Sequence, residues 1–569
     1  MIGVLCPSED AAVLEEFFQL FKTPWEPYEP GRAYDVVLAT TGAVPEVEAR
    51  LVVVYGTRLT RGDDRLGAAA GVRPNGVRPR GGALDCRGVR LPIYGALLTF
   101  VAREPRSAYL ATPDGAVAGL KVRAGSVTVV RLGYDLAHEV RVLLAEGQAP
   151  EQAGVPTLDL HVALLRGAIL DAGLPLLEIP AAPAGYRFAV CLTHDVDFAG
   201  IRYHGLDHTL LGFLYRATLG ALARVARGRL SVARCVESWR AALSLPLVHL
   251  GWVKDFWEPF DWYLRVERGL SATYFVIPFK RRPGERVTAR HASRRGAAYD
   301  VDDVATTAST LWRHGCELAV HGIDAWHDAD RGRQELERIA RVSGEPRIGV
   351  RMHWLLRDEH TPRVLEDAGY AWDSSVGYNE TVGYRSGTTQ PFRPPGARSL
   401  LELPLHIQDG ALFRRGRMDL SEAEAWTRCR ALIENAETYG GVLTVLWHDR
   451  SHGPERFWGD FYIRLVDALA ARAAWFGTAG QVVEWFARRR AVRFQRGAAG
   501  IRLRYQGEDI ISPPLAVRVY RARGEADEGR ERGAAWVDVP WSGRAPDDLD
   551  RRLAAAAGAR VVQGVGAGR

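Results

Sequence analysis

The stretch Phe188-Ala-Val-Cys-Leu192 runs directly into Thr193-His194-Asp195-Val196-Asp197, an apolar run that ends in two carboxylates two residues apart. A short apolar run reads as a buried strand, and because side chains alternate along a strand, Asp195 and Asp197 fall on one side of it. Two acids on one rim are near enough to share a cation or to divide two jobs between them. Taken alone, an Asp-x-Asp after a strand is explained as well by a polar loop whose acid caps the next helix.

Three further runs follow the same habit. Cys316-Glu-Leu-Ala-Val320 leads into His321-Gly-Ile-Asp-Ala-Trp-His327, Ile348-Gly-Val350 into Arg351-Met-His353-Trp354, and Gly441-Val-Leu-Thr-Val-Leu-Trp447 into His448-Asp449. Four strands that each finish in Asp, His or Arg are hard to explain as packing. Neutral imidazole and carboxylate are ligands that zinc prefers, and a catalytic site needs three of them plus an open position.

These residues resemble the motifs of the polysaccharide deacetylases of carbohydrate esterase family 4. Thr193-His194-Asp195-Val196-Asp197 is similar to the family's first motif, and by that resemblance Asp195 is the general base and Asp197 a metal ligand. Ala272-Thr-Tyr-Phe-Val-Ile-Pro278 looks like the second barrel strand, Arg351 matches the arginine beside the base, and Asp373-Ser374-Ser375 falls where the family has a substrate-groove motif. Leu446-Trp447-His448 resembles the motif whose histidine acts as general acid, so the resemblance implies substrate contacts at Trp354, Asp373, Ser374 and Trp447. One departure stands out: the family's second motif sets two metal-binding histidines four residues apart, on one face of a helical turn, whereas here position 325 is Ala and the next histidine is His327. The third ligand is therefore open between His353 and His327, with Asp324 or water as a further alternative. The expected cofactor is one divalent metal, zinc by preference.

The implied fold is α/β, a distorted (β/α) barrel of roughly seven or eight strands over residues 187–487, its site at the carboxyl ends of the strands. The implied reaction is metal-dependent hydrolysis of an N-acetyl or similar acyl group on a sugar, in a polysaccharide, glycan or glycolipid precursor. In that scheme Asp195 takes a proton from water, Arg351 keeps Asp195 ionised, and His448 protonates the leaving amine, with Asp449 a candidate to orient His448. The alternatives are hydrolysis of another non-peptide carbon-nitrogen bond, as in amidases of the same fold, and a non-catalytic glycan-binding relative.

The rest of the chain sets outer bounds. A length of 569 residues implies more than one domain, and a net charge of +6 spread along the chain does not point to nucleic acid. Six cysteines without a Cys-x-x-Cys pair, two of them inside apolar runs at Cys191 and Cys316, read as reduced thiols rather than a disulfide framework. The start Met1-Ile-Gly-Val-Leu-Cys-Pro7 lacks a basic segment and reaches Glu9-Asp10 early, so a cytoplasmic location is expected. The oligomeric state is not legible.

Residues 1–180 alternate β-rich runs such as Tyr34–Leu38 and Arg50–Tyr55 with helical patterns such as Asp10–Phe21, implying a small α/β domain with a loop or hairpin over Gly67–Arg90. Residues 491–569 read as a small β-rich appendage with an Ala/Gly-rich tail. Between the first two barrel strands lies an insertion at 201–269, far longer than an ordinary connection. Its segment 209–229 has helical period, with Leu210, Phe213, Leu214, Ala217, Ala221 and Val225 on one side. That side fits either a helix packed as a lid on the barrel mouth, the favoured reading, or peripheral contact with a membrane. Trp239, Trp252, Trp257 and Trp262 fit a lid core or sugar stacking, and the cluster His204, Asp207 and His208, lying away from the strand ends, is not expected to bind metal.

Overall fold

The computed structural model describes residues 1–43, 45–63, 66, 72–86, 88–102, 108–497, 500–521 and 536–558. The chain divides into two compact units, one of Met1–Tyr186, Ser386–Thr388 and Trp485–Arg569, the other of Arg187–Arg385 and Thr389–Glu484.

In the first unit, Trp25–Pro27, Ile2–Leu5, Val36–Ala39, Leu51–Tyr55 and Val127–Leu132 form a parallel run. It continues as antiparallel strands from Val117–Ala124 outward, with the expected hairpin at Gly82–Cys86 and Val89–Ile93. Residues 67–71 and 87 of the Gly67–Arg90 stretch lie outside the described residues. The carboxy-terminal region, expected as a separate appendage, belongs to this same unit. Leu176–Glu178 pairs with Leu515–Tyr520, which pairs with Trp536–Trp541, and a strand of three residues is too short to show in a period-2 pattern. Part of the Ala/Gly-rich tail is helical, at Pro546–Gly558, and residues 559–569 lie outside the described ones.

The second unit is built on nine parallel strands, β1 (Phe188–Val196), β2 (Ala272–Val276), β3 (Glu317–Gly322), β4 (Val350–Met352), β5 (Trp372–Asp373), β6 (Leu401–Glu402), β7 (Ile407–Gln408), β8 (Val442–Leu446) and β9 (Ala474–Phe476). Their order is β6-β5-β4-β3-β2-β1-β8-β7, with β9 beside the start of β1. The sheet curls until one segment spans both its edges: Leu403 and Leu405 donate to the carbonyls of Asp373 and Val376, and His406 donates to that of Thr444. The result is the distorted barrel expected.

Strands buried on both faces read as continuous apolar runs, and that is why β1, β2, β3 and β8 were visible in the sequence. Alternation sorts the two faces. Phe188, Val190, Leu192 and Val196 of β1 join Leu443, Val445 and Trp447 in the core packed under helices such as Gly459–Ala470. Thr193 and Asp195 face the barrel interior, where the Arg351 guanidinium lies 4.2 Å over the Phe275 ring and Phe275 meets Trp372 edge-on.

The insertion after β1 is a helical hairpin. His208–Tyr215, Arg216–Gly220 and Ala221–Ala226 form one arm with a π turn in its middle, and Val232–His249 forms the other. Leu210, Phe213 and Ala217 pack with Leu245, Val248 and Trp257 at one end, and Ala221 with Cys235 at the other, so the arms run antiparallel. The face over Leu210–Ala221 that could have met a membrane is thus spent on packing.

Candidate metal and acid–base site

β1 ends at Val196, and alternation leaves Asp195 on the inner face with Asp197 just beyond it. β3 and β4 pair with His321 opposite Arg351, which brings His353, two residues past Arg351, to the same rim as His321. Asp197 Oδ1 lies 3.2 Å from His321 Nε2 and 3.4 Å from His353 Nε2. These three side chains offer ligand atoms that all lie within 4.8 Å of one another.

The hydrogen bonds around them bear on whether a cation fits. His321 Nδ1 donates to the Arg351 carbonyl at 3.0 Å, since a carbonyl only accepts, and in the neutral ring that leaves Nε2 bare. The bare Nε2 faces Asp197 Oδ1, a buried oxygen with no hydrogen-bond donor of its own among the described residues. Two nitrogens and a carboxylate oxygen presenting lone pairs to one point are the donor set of a divalent ion with an open position. Burial holds the His353 pKa well below the ordinary value, against the pull of Asp197, so its ring is neutral and ligand-ready. Burial raises the Asp197 pKa, but the neighbouring His353 and His321 imidazoles outweigh it and hold the carboxyl well below the usual range.

His327 is not part of this group. It sits in the turn that leads into the helix Ala329–Ser343, its backbone N–H bonded to Asp324 O, and its Nε2 faces Asp324 Oδ1 at 3.1 Å. Asp324 itself receives the Glu285 backbone N–H at 2.9 Å and stands apart from Asp197.

Asp195 is buried and held by Arg351, whose Nη1 donates to Asp195 Oδ1 at 2.9 Å and to Thr193 Oγ1 at 2.8 Å. The other side of the guanidinium is fixed by Ser374, through its carbonyl at 3.1 Å and its hydroxyl at 2.9 Å. Asp195 Oδ2 lies 3.8 Å from His321 Nε2, beside the ligand group and outside it. Across the rim, His448 Nδ1 donates to Asp409 Oδ1 at 2.5 Å, which leaves Nε2 for other work. Asp409 Oδ2 accepts the His448 backbone N–H at 2.9 Å and the Ser451 hydroxyl. Burial opposes charge on His448, but Asp409, with Asp197 and Asp195 behind it, raises its pKa to about 9.

Several expected roles fall elsewhere. Asp449 does not orient His448; its Oδ2 accepts the Phe198 and Ala199 backbone N–H groups at 2.7 and 3.0 Å and so shapes the loop after Asp197, with burial and the Asp197 charge raising its pKa to about 6. Asp373 and Ser374 do not line a groove: both are buried, Ser374 bracing Arg351 and donating to Leu403 O at 2.8 Å, and Asp373 accepting from Ser375 Oγ at 2.5 Å. Trp447 is fully buried, stacked on Phe461 on the outer face, because alternation along β8 turns it away from His448. Trp354 does reach the surface at 36% exposure, in a left-handed backbone with φ +70°, its ring centre 5.7 Å from that of His353.

Two contributors were missed. Asp409 follows a strand of two residues, too short for periodicity to flag. Arg295, buried in the segment between β2 and β3, donates to the carbonyls of Ile323 at 2.9 Å and His353 at 3.2 Å and so ties the two histidine-bearing rims together. For Arg295 no sequence signal existed.

No family model matches the chain, and no curated protein does. Solved structures do. One, described as a polysaccharide deacetylase from Mycobacterium smegmatis, is 19% identical with a TM-score of 0.32, covering 54% of this chain and 94% of its own. An allantoinase is 14% identical with a TM-score of 0.34, covering 55% of this chain and 92% of its own. A family 4 acetyl xylan esterase from Clostridium thermocellum, solved with a cobalt ion, is 14% identical with a TM-score of 0.23, covering 52% and 90%. The solved structures to which this chain is similar thus include two described as polysaccharide deacetylases and a family 4 esterase.

Proposed function

We propose that the unit Arg187–Glu484 is a metal-dependent hydrolase that removes acyl groups, N-acetyl above all, from an amino sugar within a glycan or glycolipid precursor. The observation that carries this reading is the convergence of Asp197, His321 and His353 on one point, flanked by a carboxylate held by arginine and an imidazole held by carboxylate. Asp197, His321 and His353 would hold the ion, for which zinc suits the two imidazoles and one carboxylate. When bound, such an ion supplies Lewis-acid polarisation of the acyl carbonyl.

The chain's own residues divide the proton work. Asp195, held in place by the Arg351 guanidinium, takes a proton from the water that adds to the acyl carbon. His448, its Nδ1–H fixed on Asp409, delivers a proton from Nε2 to the amine as the carbon-nitrogen bond breaks, so that carboxylate and free amine leave. Trp354 at the rim offers an indole face to a sugar ring.

Acetate release from N-acetylated glucosamine oligomers, measured together with metal content, tests the reading. Asp195→Asn protein is expected to keep its metal and to lose activity by about 10²- to 10⁴-fold. Near-normal turnover by that variant, or wild-type protein without metal affinity, overturns it.

A further inference from the structure

More than half of the large apolar side chains exposed among the described residues fall between Leu206 and Val253, in the helical hairpin inserted after β1. On the first arm Leu211, Tyr215, Leu219 and Leu222 recur at helical spacing, opposite the packed Leu210, Phe213 and Ala217. On the second arm Val236, Trp239, Leu243, Leu247 and Leu250 do the same, opposite Leu245 and Val248. Leu243 is 80% exposed, and Trp252, just past the helix, is 75% exposed. Single exposed apolar residues are ordinary, but a stripe of five along one helix, continued by Trp252, marks a surface that something covers.

Charge identifies the occupant. The stretch from Leu206 to Lys254 carries six arginines and one lysine against one aspartate and one glutamate, with Arg229, Arg234 and Lys254 paired to Asp419, Asp460 and Asp261 outside it. Arg227 and Arg240 are exposed and make no ion pair among the described residues. A second copy of the chain seated on this face in a twofold contact would set the unpaired Arg227 and Arg240 of one hairpin against those of another. A bilayer surface with anionic headgroups answers both features, taking the second-arm stripe with Trp239 and Trp252 into its boundary while the free cations meet phosphate. Among the described residues no helix is long and apolar enough to cross a membrane, so the hairpin would lie in the interface.

We infer that the hairpin Leu206–Val253 docks this protein on the surface of an anionic membrane. The hairpin is fastened to the loop that follows His448. Ser238 Oγ donates to Pro454 O at 2.6 Å, Arg224 Nη1 to Glu455 O at 3.0 Å, and Trp257 Nε1 to Glu455 Oε2 at 3.2 Å. Docking therefore carries the candidate site to the membrane surface, where a lipid-linked sugar would present itself.

The full chain is sedimented with phosphatidylcholine vesicles that contain or lack phosphatidylglycerol, a readout that does not depend on catalysis or on the proposed reaction. The wild type is expected to pellet with the anionic vesicles and to be released by high salt. Leu243→Glu/Trp252→Glu and, separately, Arg227→Glu/Arg240→Glu are each expected to lower the partition by about tenfold or more. All four side chains are exposed, and the arginine pair removes no packing, so loss of fold does not confound the result. Wild type left in the supernatant, variants that pellet undiminished, or a dimer that Leu243→Glu/Trp252→Glu dissolves without any lipid effect would each overturn the inference.

Discussion

Asp409→Asn removes the charge that governs His448, together with one of the two oxygens that accept from His448 and Ser451. The amide keeps one acceptor for His448 Nδ1–H and nearly the same volume, but the negative charge 2.5 Å from the ring is gone. Burial by itself would lower the His448 pKa, and the carboxylates, Asp409 first among them, bring it to about 9. Relative to an ordinary histidine near 6.5, that displacement corresponds to about 3 kcal/mol of preference for the imidazolium. Folded protein therefore binds a proton at His448 that unfolded chain does not, between about pH 6.5 and 9. The stability this contributes is complete below about 6.5 and is lost as pH rises through about 9. In Asp409→Asn, burial opposed only by the more distant Asp195 and Asp197 should bring the pKa down. The assay is NMR titration of ring-labelled histidine in chelator-treated protein, with His448→Gln to assign the resonance, alongside denaturant unfolding at pH 6 and 9. A His448 resonance that titrates within about half a pH unit of wild type in Asp409→Asn would refute the electrostatic account of this pair.

Isothermal titration of zinc should show His353→Ala losing affinity by about 10²-fold or more while His327→Ala binds like wild type, since only His353 stands with Asp197 and His321. Arg351→Met leaves the Asp195 carboxylate buried without its partner, and urea unfolding should show a loss of about 3–5 kcal/mol. A Cβ added at Gly349 would lie 2.0 Å from the Trp372 ring, so Gly349→Ala should lower stability by at least about 1–3 kcal/mol by the same measurement, and a change near zero would mean that Trp372 does not fill the barrel there.

How much of this was legible follows strand length. β1, β2 and β8 are runs of five to nine buried residues, and β3 has six, long enough for an apolar pattern to announce a strand and for the chemistry at its end to stand out. β5, β6 and β7 have two residues each, so the segments around Asp373, Glu402 and Asp409 carried no periodicity to read. That cause accounts for overlooking Asp409, whereas Asp373 and Ser374 were placed in a groove by the family resemblance alone. Trp447 was a different failure. The alternation that put Asp195 and Asp197 on one side also sends Trp447 to the face opposite His448, and applying it to β8 as to β1 would have buried the indole. The hairpin shows the limit of amphipathic reading from the other direction, since both sides of its first arm are apolar and only packing tells which one the fold uses.

The altered second motif has a structural answer in register. Two histidines four residues apart reach one ion because a helical turn stacks them, and with Ala at 325 that route is closed. Neighbouring parallel strands offer another, because they run about 4.8 Å apart and keep equivalent faces aligned. Pairing His321 with Arg351 puts His353 two residues further along the adjacent strand on the same face, and the two rings end 4.8 Å apart. The pair then depends on the β3–β4 register rather than on the conformation of the loop after β3. Arg295 guards that register by bridging the carbonyls of Ile323 and His353, the first residues past each strand's pairing. A candidate ligand pair built across two strands would leave the turn at Asp324–His327 free of coordination, and His327 closes onto Asp324 apart from the group at Asp197.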